Sequence, residues 1–414
     1  MKSALTQRII MLLTSVMSLS GLTLSCNQQA SELNVPTTWS ESLNVKWKTE
    51  VHGRGWSTPV IMGDQIWATT ATEDGKKMYA ICVSAKSGEI LHDILVLENE
   101  KPSWKNGNNT YATPGPVVRD GFVYAEFGEY GTACIEAKSG KIIWKRTDVS
   151  TEHVIHGPAS SPILHKNLLI LHHEATKTLK IIALDIKTGA TVWQADRPEE
   201  YYTGVQDDWH KSHASPIIIT VNGKDQLISE GSQVCQAFDP DTGKEIWRVF
   251  YGGHDSTVSS PIFWNGLVYI NTGLNTMGVE MWAVRPDGIG DVTNTHVLWK
   301  CKNDVPGLST PVVKNNLIFM VSEKGQLSCL DAKTGNLIFK QKLTGNYNFN
   351  CSPVWIGDKV FLTSHDGITT VIKADKTFQL LSENKLDGKF IARPVVSENS
   401  LIIRSDSYIY RIEK

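Results

Sequence analysis

The sequence predicts an all-β fold, an eight-bladed β-propeller of four-stranded antiparallel blades whose ring is closed by an N-terminal strand. Three observations predict it. First, a phrase of the form strand, tight turn ending in Gly, strand ending in an aromatic recurs as ACIEAKSGKIIW at 133–144, ALDIKTGATVW at 183–193, AFDPDTGKEIW at 237–247 and CLDAKTGNLIF at 329–339. Second, a small residue, Pro and aliphatic residues open a unit eight times, at Pro59, Pro116, Pro162, Pro216, Pro261, Pro311, Pro353 and Pro394, with spacings of 41 to 57 residues. That spacing holds four short strands and their turns. Third, only three strands follow Pro394, while LNVKWKTEV at 43–51 supplies a fourth with Trp47 in the place of the other terminal aromatics. Four-stranded sheets that must bury both faces stack on one another, and radial stacking closes the array without long exposed edges.

Each part of the unit has a physical reason. In the sixth, TPVVKNNLIFMVSEKGQLSCLDAKTGNLIFKQKL reads as strand, Asn-Asn turn, strand, Lys-Gly turn, strand, Lys-Thr-Gly turn, strand. The turn Gly permits positive φ. The aromatic four residues later is expected to cover the gap between blades, and the Ala or Cys six residues before the Gly lets neighbouring sheets approach. Cys82, Cys134 and Cys329 occupy that slot, where Ala183 and Ala237 stand in other units. They read as small buried side chains; no CxxC pair supports zinc.

Composition narrows the function. A hydrophobic share of 41%, a charged share of 20% and a formal charge of -2 describe a globular chain with no net attraction to nucleic acid, which is not expected as a partner. Residues 1–26 read as an export signal: Lys2 and Arg8 precede an apolar stretch, and LTLSC ends at Cys26 in the manner of a lipobox, with Thr23 where Leu is usual. Cys26 is thus the expected lipidation site. Residues 27–42 are polar and read as a tether, and 43–414 as the propeller.

These repeats resemble the bacterial propellers with AxDxxTGxxxW units, the PQQ-like repeat family, whose superfamily holds quinoprotein alcohol dehydrogenases and BamB-like outer-membrane assembly lipoproteins. The BamB-like resemblance implies an exported, membrane-tethered scaffold on the periplasmic face of a bacterial membrane. It would bind a protein partner or ligand at its central funnel, with envelope or outer-membrane assembly components as partners. The alternative is an oxidoreductase using pyrroloquinoline quinone (PQQ) with calcium, or another small-ligand enzyme. Against it, the sequence has no adjacent cysteine pair, no CxxCH and nearly minimal repeats. No cofactor and no metal is therefore assigned, and no GxSxG, P-loop or HExxH occurs.

The loops that lead into the innermost strands carry the unusual chemistry. They place Arg54, Trp56, Trp104, Asn108, Tyr111, His156, Trp209, His213, His254, Asn350 and Arg393 ahead of the repeated prolines, with the longest insertions at ENEKPSWKNGNNTYATP and RPEEYYTGVQDDWHKSHASP. Aromatic, imidazole and amide groups ringed around one end of a rigid scaffold form a candidate ligand or peptide surface. His172 and His173, as neighbours on a strand, face opposite sides and read as structural.

Overall fold

A single unit shows why the repeats become blades. In blade 6 the strands Val312–Lys314, Leu317–Val321, Gln326–Asp331 and Leu337–Lys342 pair in that order, each antiparallel to the next. Asn315 and Asn316 take φ of 50° and 64° to make the tight first turn. In the last turn the Asp331 carboxylate accepts the N–H groups of Lys333 and Thr334, each at 3.0 Å, and Gly335 supplies a φ of 71°. The two middle strands are almost wholly buried. The same four-strand order repeats in seven further sheets, and the last pairs Val45–Glu50 with Tyr408–Ile412, so the N-terminal strand closes the ring. The computed structural model describes residues 34–149, 156–175, 178–253, 256–274, 278–344 and 348–414. Cys26, His153, His254 and Asp255 lie outside the described residues.

Three devices join neighbouring blades. The innermost is a ring of hydroxyls on the residue before six of the eight repeated prolines. The N–H of Gly115 donates to Ser161 Oγ, Ser161 to Ser215, Ser215 to Ser260, Ser260 to Thr310 and Thr310 to Ser352, at 2.8 to 3.0 Å, and Arg393 N–H reaches Thr58 Oγ1 at 3.3 Å. The joints between blades 1 and 2 and between blades 7 and 8 lack this bond, because Gly115 and Arg393 carry no hydroxyl.

The second device lies midway along the strands, at the residue two beyond the partner of the innermost strand's first position. There Thr69 Oγ1 donates to Pro114 O at 3.1 Å, Glu126 meets His173 at 3.2 Å, and His172 meets Ala214 O at 2.9 Å. Glu230 accepts Asn271 N–H at 3.1 Å, and Asn271 donates to Pro306 O at 2.9 Å. Arg404 completes the belt by donating to Ser57 O at 3.1 Å and Thr69 O at 2.6 Å in blade 1. Val321 and Thr363 hold the corresponding places in blades 6 and 7. The Thr363 hydroxyl pairs with Thr369 inside its own blade, at 3.0 Å.

The third device is the repeated aromatic. A Cβ added at Gly88, Gly189, Gly243 or Gly335 would come within 2.8 Å of the ring of Trp47, Trp144, Trp193 or Trp299 from the preceding blade. Those glycines serve close approach as well as positive φ. Each of the four indoles also donates to a backbone carbonyl of the turn it covers (Ala85, Ile186, Pro240, Ala332), at 3.0 to 3.2 Å. Where blade 5 has a longer turn, Gln226 relays the bond: Trp247 donates to its Oε1 at 2.9 Å and its Nε2 donates to Pro286 O at 3.1 Å. Cys82, Cys134 and Cys329 sit across the strand pair from His92, Trp144 and Phe339, as Ala183 and Ala237 sit across from Trp193 and Trp247. The six described cysteines are free and buried.

Two features differ from the sequence reading. The blade 5 insertion returns Gly290–Asp291 to pair in parallel with Glu245–Phe250, giving blade 4 a fifth strand. Residues 34–42, read as part of a free tether, instead lie in the groove between blades 7 and 8, with Val35 and Trp39 95% or more buried among Phe361, Leu386, Phe390 and Tyr410.

Candidate functional site

The face from which the innermost strands depart is shaped by the loop insertions. In the loop before blade 2, Asn109 N–H closes a turn on Asn106 O at 3.0 Å, and the Asn109 amide donates to His156 O at 2.7 Å and Pro158 O at 3.0 Å, tying this loop to the next. Trp56, only 3% exposed, donates its indole N–H to Asn108 O at 3.2 Å, which fixes the ring as a wall. In the loops before blades 4 and 5, Lys211–Ser212 and Ser256–Thr257 pair in parallel, and His213 N–H donates to Thr257 O at 2.7 Å.

Together these loops enclose an axial cavity of about 520 Å³. Its polar lining is chiefly amide, from Asn106, Asn108, Asn109, Asn348 and Asn350, and Asn350 Oδ1 is buried without a hydrogen-bond partner. Its apolar lining is Trp56, Val258, Leu274, Leu308 and Ile391. His156 and His213 meet edge to face with ring centroids 5.8 Å apart. The one carboxylate in the lining, Glu323, already accepts the N–H groups of Gly307 at 2.7 Å and Leu308 at 2.9 Å. No Lys or Arg is among the described residues of the lining.

Of the residues singled out from sequence, Trp56, Asn108, His156, His213 and Asn350 line this cavity. Arg54 stands behind the wall, its guanidinium 5.0 Å from the Trp56 ring centre, and with Lys105 and Tyr111 lines a separate pocket of about 150 Å³. Burial, followed by the nearby Arg54 charge, holds the Lys105 ammonium below its usual range. Tyr111 packs on Tyr130 and donates to Ser103 O at 3.0 Å. Trp104 is 69% exposed and away from the cavity, Trp209 sits on a short 3-10 turn at Asp207–Trp209, and Arg393 is exposed outside the lining. His254 lies outside the described residues. Sequence reasoning missed Glu323, Leu274, Leu308 and Ile391, because loop residues carry no periodic signal.

It also missed a buried charged cluster beneath the blade 3 insertion. Arg197 and Glu174, both without exposed side-chain surface, form an ion pair, and Arg197 also donates to Ser229 Oγ at 2.7 Å and to Gln236 Oε1 at 2.5 Å. Breaking one partner of such a pair leaves an uncompensated buried charge. The cluster forms the floor of a second pocket of about 450 Å³ beside Tyr202 and His210. Burial pushes the nearby Glu230 carboxyl well above its ordinary range, against the lowering effects of Asn271 N–H and Arg197. The signal for this cluster is Glu174, with His172 and His173 before it, in a strand that is buried throughout, LLILHHEA.

This site can bind neutral polar groups between an indole wall and aliphatic side chains. A tricarboxylate quinone with calcium fits it poorly. The lining has no cation to meet the carboxylates and one carboxylate that is already engaged, and among the described residues no group of three His, Cys, Asp or Glu is placed for a metal ion.

Comparison with known proteins places this geometry in context. The family model described as outer membrane protein assembly factor BamB matches residues 93–286 and 231–378. Tetrathionate hydrolase of Acidithiobacillus ferrooxidans is 21% identical over 265 residues, 55% of this chain and 48% of that protein. BamB of Yersinia pestis is 20% identical over 267 residues, 53% and 66%. Quinohemoprotein alcohol dehydrogenase ADH-IIG of Pseudomonas putida is 23% identical over 224 residues, 48% and 30%. The chain thus spans less than two-thirds of the length of each of these relatives. The crystal structure of BamB from Moraxella catarrhalis superposes with a TM-score of 0.64 at 14% identity, covering 89% of this chain and 99% of that one, a likeness of fold.

Proposed function

This chain belongs to the outer membrane protein assembly factor BamB family, and from that premise we propose that it is an exported, membrane-tethered scaffold that holds an extended segment of an envelope protein in its axial cavity. The observation that carries the reading is the amide and indole lining of that cavity. The Asn109 amide is engaged in joining the loops, but Asn350, whose Oδ1 has no partner, offers the donor and acceptor that a peptide group requires, and Trp56 with Leu274, Leu308 and Ile391 can cover apolar side chains. Partners drawn from outer-membrane assembly components accord with the family.

The proposed tether has a geometric consequence. Asn34 N–H donates to Asn399 Oδ1 and its own Oδ1 accepts from Lys414 Nζ, both at 3.1 Å, so the first described residue lies at the turns on the face opposite the cavity mouth. The seven residues between Cys26 and Asn34 reach at most ~25 Å when extended. A lipid on Cys26 would therefore hold the turn face near the bilayer and point the cavity away from it.

Titration of the full mature chain with PQQ, with and without Ca²⁺, followed by tryptophan fluorescence, tests the reading against the oxidoreductase. No saturable change is expected. In parallel, purified outer-membrane assembly components should bind the wild-type chain, and Trp56→Ala together with Asn350→Ala should weaken that binding at least tenfold. Saturable PQQ binding abolished by Trp56→Ala would overturn the scaffold reading.

A further inference from the structure

Seven of the eight joints between blades use at least one of the three devices described above: a ring hydroxyl, a belt side chain or an aromatic that covers the next turn. The joint between blades 7 and 8 has none of the three. Arg393 offers no hydroxyl, Thr363 bonds within its blade, and Ser382 stands opposite Val371, at the register where blade 1 has His92 and the other blades have Trp or Phe. Residues 34–42 lie in the groove this leaves.

The groove reads main chain. Asn384 Oδ1 accepts Trp39 N–H at 2.8 Å while its Nδ2 donates to Thr37 O at 2.9 Å, and the Ser382 hydroxyl donates to the same carbonyl. Glu41 accepts Asp387 N–H at 2.8 Å and the Tyr410 hydroxyl at 3.1 Å, which fixes the far end. Trp39 stacks on Phe361 with centroids 6.2 Å apart and planes 14° from parallel, and Val35, four residues earlier, packs in the same cluster. One difference separates this aromatic from Trp47, Trp144, Trp193 and Trp299: the Trp39 indole N–H is buried without a hydrogen-bond partner. A buried donor left unmade opposes the burial that seats it.

We infer that the groove between blades 7 and 8 is a peptide-binding site for a segment with an aliphatic residue four positions before an aromatic one and a bend between them, as at Thr37. The chain fills it with its own Val35 to Trp39 strap. Bidentate main-chain recognition by Asn384 and an apolar seat for the ring define the ligand class, and the unsatisfied indole N–H makes the strap the most readily released of the interblade closures. The strap runs directly into residues 1–33, so a load on that end acts on this joint first. The inference is independent of what the axial cavity binds.

The test uses the full chain. Trp39→Ala should speed hydrogen exchange at the Ser382 to Asn384 amides at least tenfold and lower Tm, with exchange at blades 2 to 4 unchanged. Trp39→Phe keeps a ring and removes the unmade donor, so its exchange rates and Tm should equal or exceed those of wild type. A labelled peptide of residues 34–42 should bind saturably to a chain beginning at Leu43, and the peptide with Ala in place of Trp39 should bind at least tenfold more weakly. If the shortened chain does not fold, the two full-chain variants decide. Equal damage from Trp39→Phe and Trp39→Ala, no change in exchange at the joint, or no saturable peptide binding by a folded shortened chain would overturn the inference.

Discussion

The joint between blades 8 and 1 and the joint between blades 7 and 8 flank the same blade and are built in opposite ways. At 8/1 all three devices are present: Arg393 N–H on Thr58, Trp47 on the turn at Gly88, and Arg404 on Ser57 and Thr69. At 7/8 all three are replaced by a strap borrowed from the N-terminus. The difference teaches that ring closure has two parts. One is a strand integral to the last blade, and the other is a plug that fills a groove without joining its sheet.

The largest expected effect separates those two parts. A chain beginning at Val51 loses Val45–Glu50, the outermost strand of blade 8, and with it Trp47 and the whole 34–42 strap. The whole strand pairing with Tyr408–Ile412 and the partly buried Trp47 go together, so this chain should fail to fold cooperatively. A chain beginning at Leu43 keeps the strand and loses only the strap, and should fold with a lowered Tm. The composition-based expectation that this shorter cut removes only tether is corrected by the burial of Val35 and Trp39. Equal melting of the two truncations by circular dichroism would mean that closure does not depend on the strand.

Arg404 is the next largest. It is 1% exposed, and burial pushes its guanidinium down to about 9, so the 8/1 joint bears the cost of a desolvated cation that donates to oxygens of Ser57 and Thr69. Arg404→Met removes that cost but leaves the Ser57 and Thr69 carbonyls without the donor. We expect a net loss of about 2–4 kcal/mol, visible in urea unfolding as a lower midpoint at unchanged slope. An unchanged midpoint would show that the belt adds specificity of pairing and no stability.

The belt predicts a smaller effect, of opposite sign, where a carboxyl takes the arginine's place. Glu230 has its carboxyl pKa raised by burial, so the folded chain keeps a proton that the unfolded chain sheds near 4.5. Its contribution is therefore fully present below pH 4.5 and lost as pH rises through the folded value. Glu230→Gln keeps an oxygen for Asn271 N–H and cannot ionise. It should match wild type near pH 4.5 and exceed it by about 1 kcal/mol at neutral pH, read as Tm against pH. A variant less stable than wild type at neutral pH would mean that Arg197 holds Glu230 ionised.

What could be read in the sequence follows from what is periodic. Blade number, the closing strand and the turn tryptophans repeat at fixed offsets. The strap is not periodic: its only signals are the four-residue step from Val35 to Trp39 and the missing aromatic at Ser382, which lie more than 340 residues apart in sequence. The cavity was half legible for the same reason. Trp56, His213 and Asn350 sit three residues before a repeated proline, and with His156, six before Pro162, they reach the axis, whereas Trp104, Tyr111 and Trp209 belong to insertions whose folding is set by local turns such as Asn106 to Asn109.

The innermost ring sharpens the comparison further, because its second gap can be filled without disturbing anything else. At the joint between blades 1 and 2 the only obstacle to the ring bond is the absent side chain of Gly115, whose φ lies outside the positive range. A Cβ there would stand 3.6 Å from Thr58 N, with Thr58 O at 3.2 Å and Ser161 Oγ at 3.4 Å as its nearest neighbours. Gly115→Ser thus places a hydroxyl where the Thr58 N–H can donate, as Ser161, Ser215 and Ser260 accept in the blades that follow. One hydrogen bond and the lower entropy of the unfolded chain together favour the variant by about 1 kcal/mol, against a shift of a few tenths of an ångström at Thr58 O. Arg393→Ser repeats the change at the 7/8 joint, where the strap already closes the outer groove, and should gain less. If Gly115→Ser melts below wild type, the gap at Gly115 is relief from crowding at the axis, and the hydroxyl ring is a consequence of blade packing rather than one of its causes.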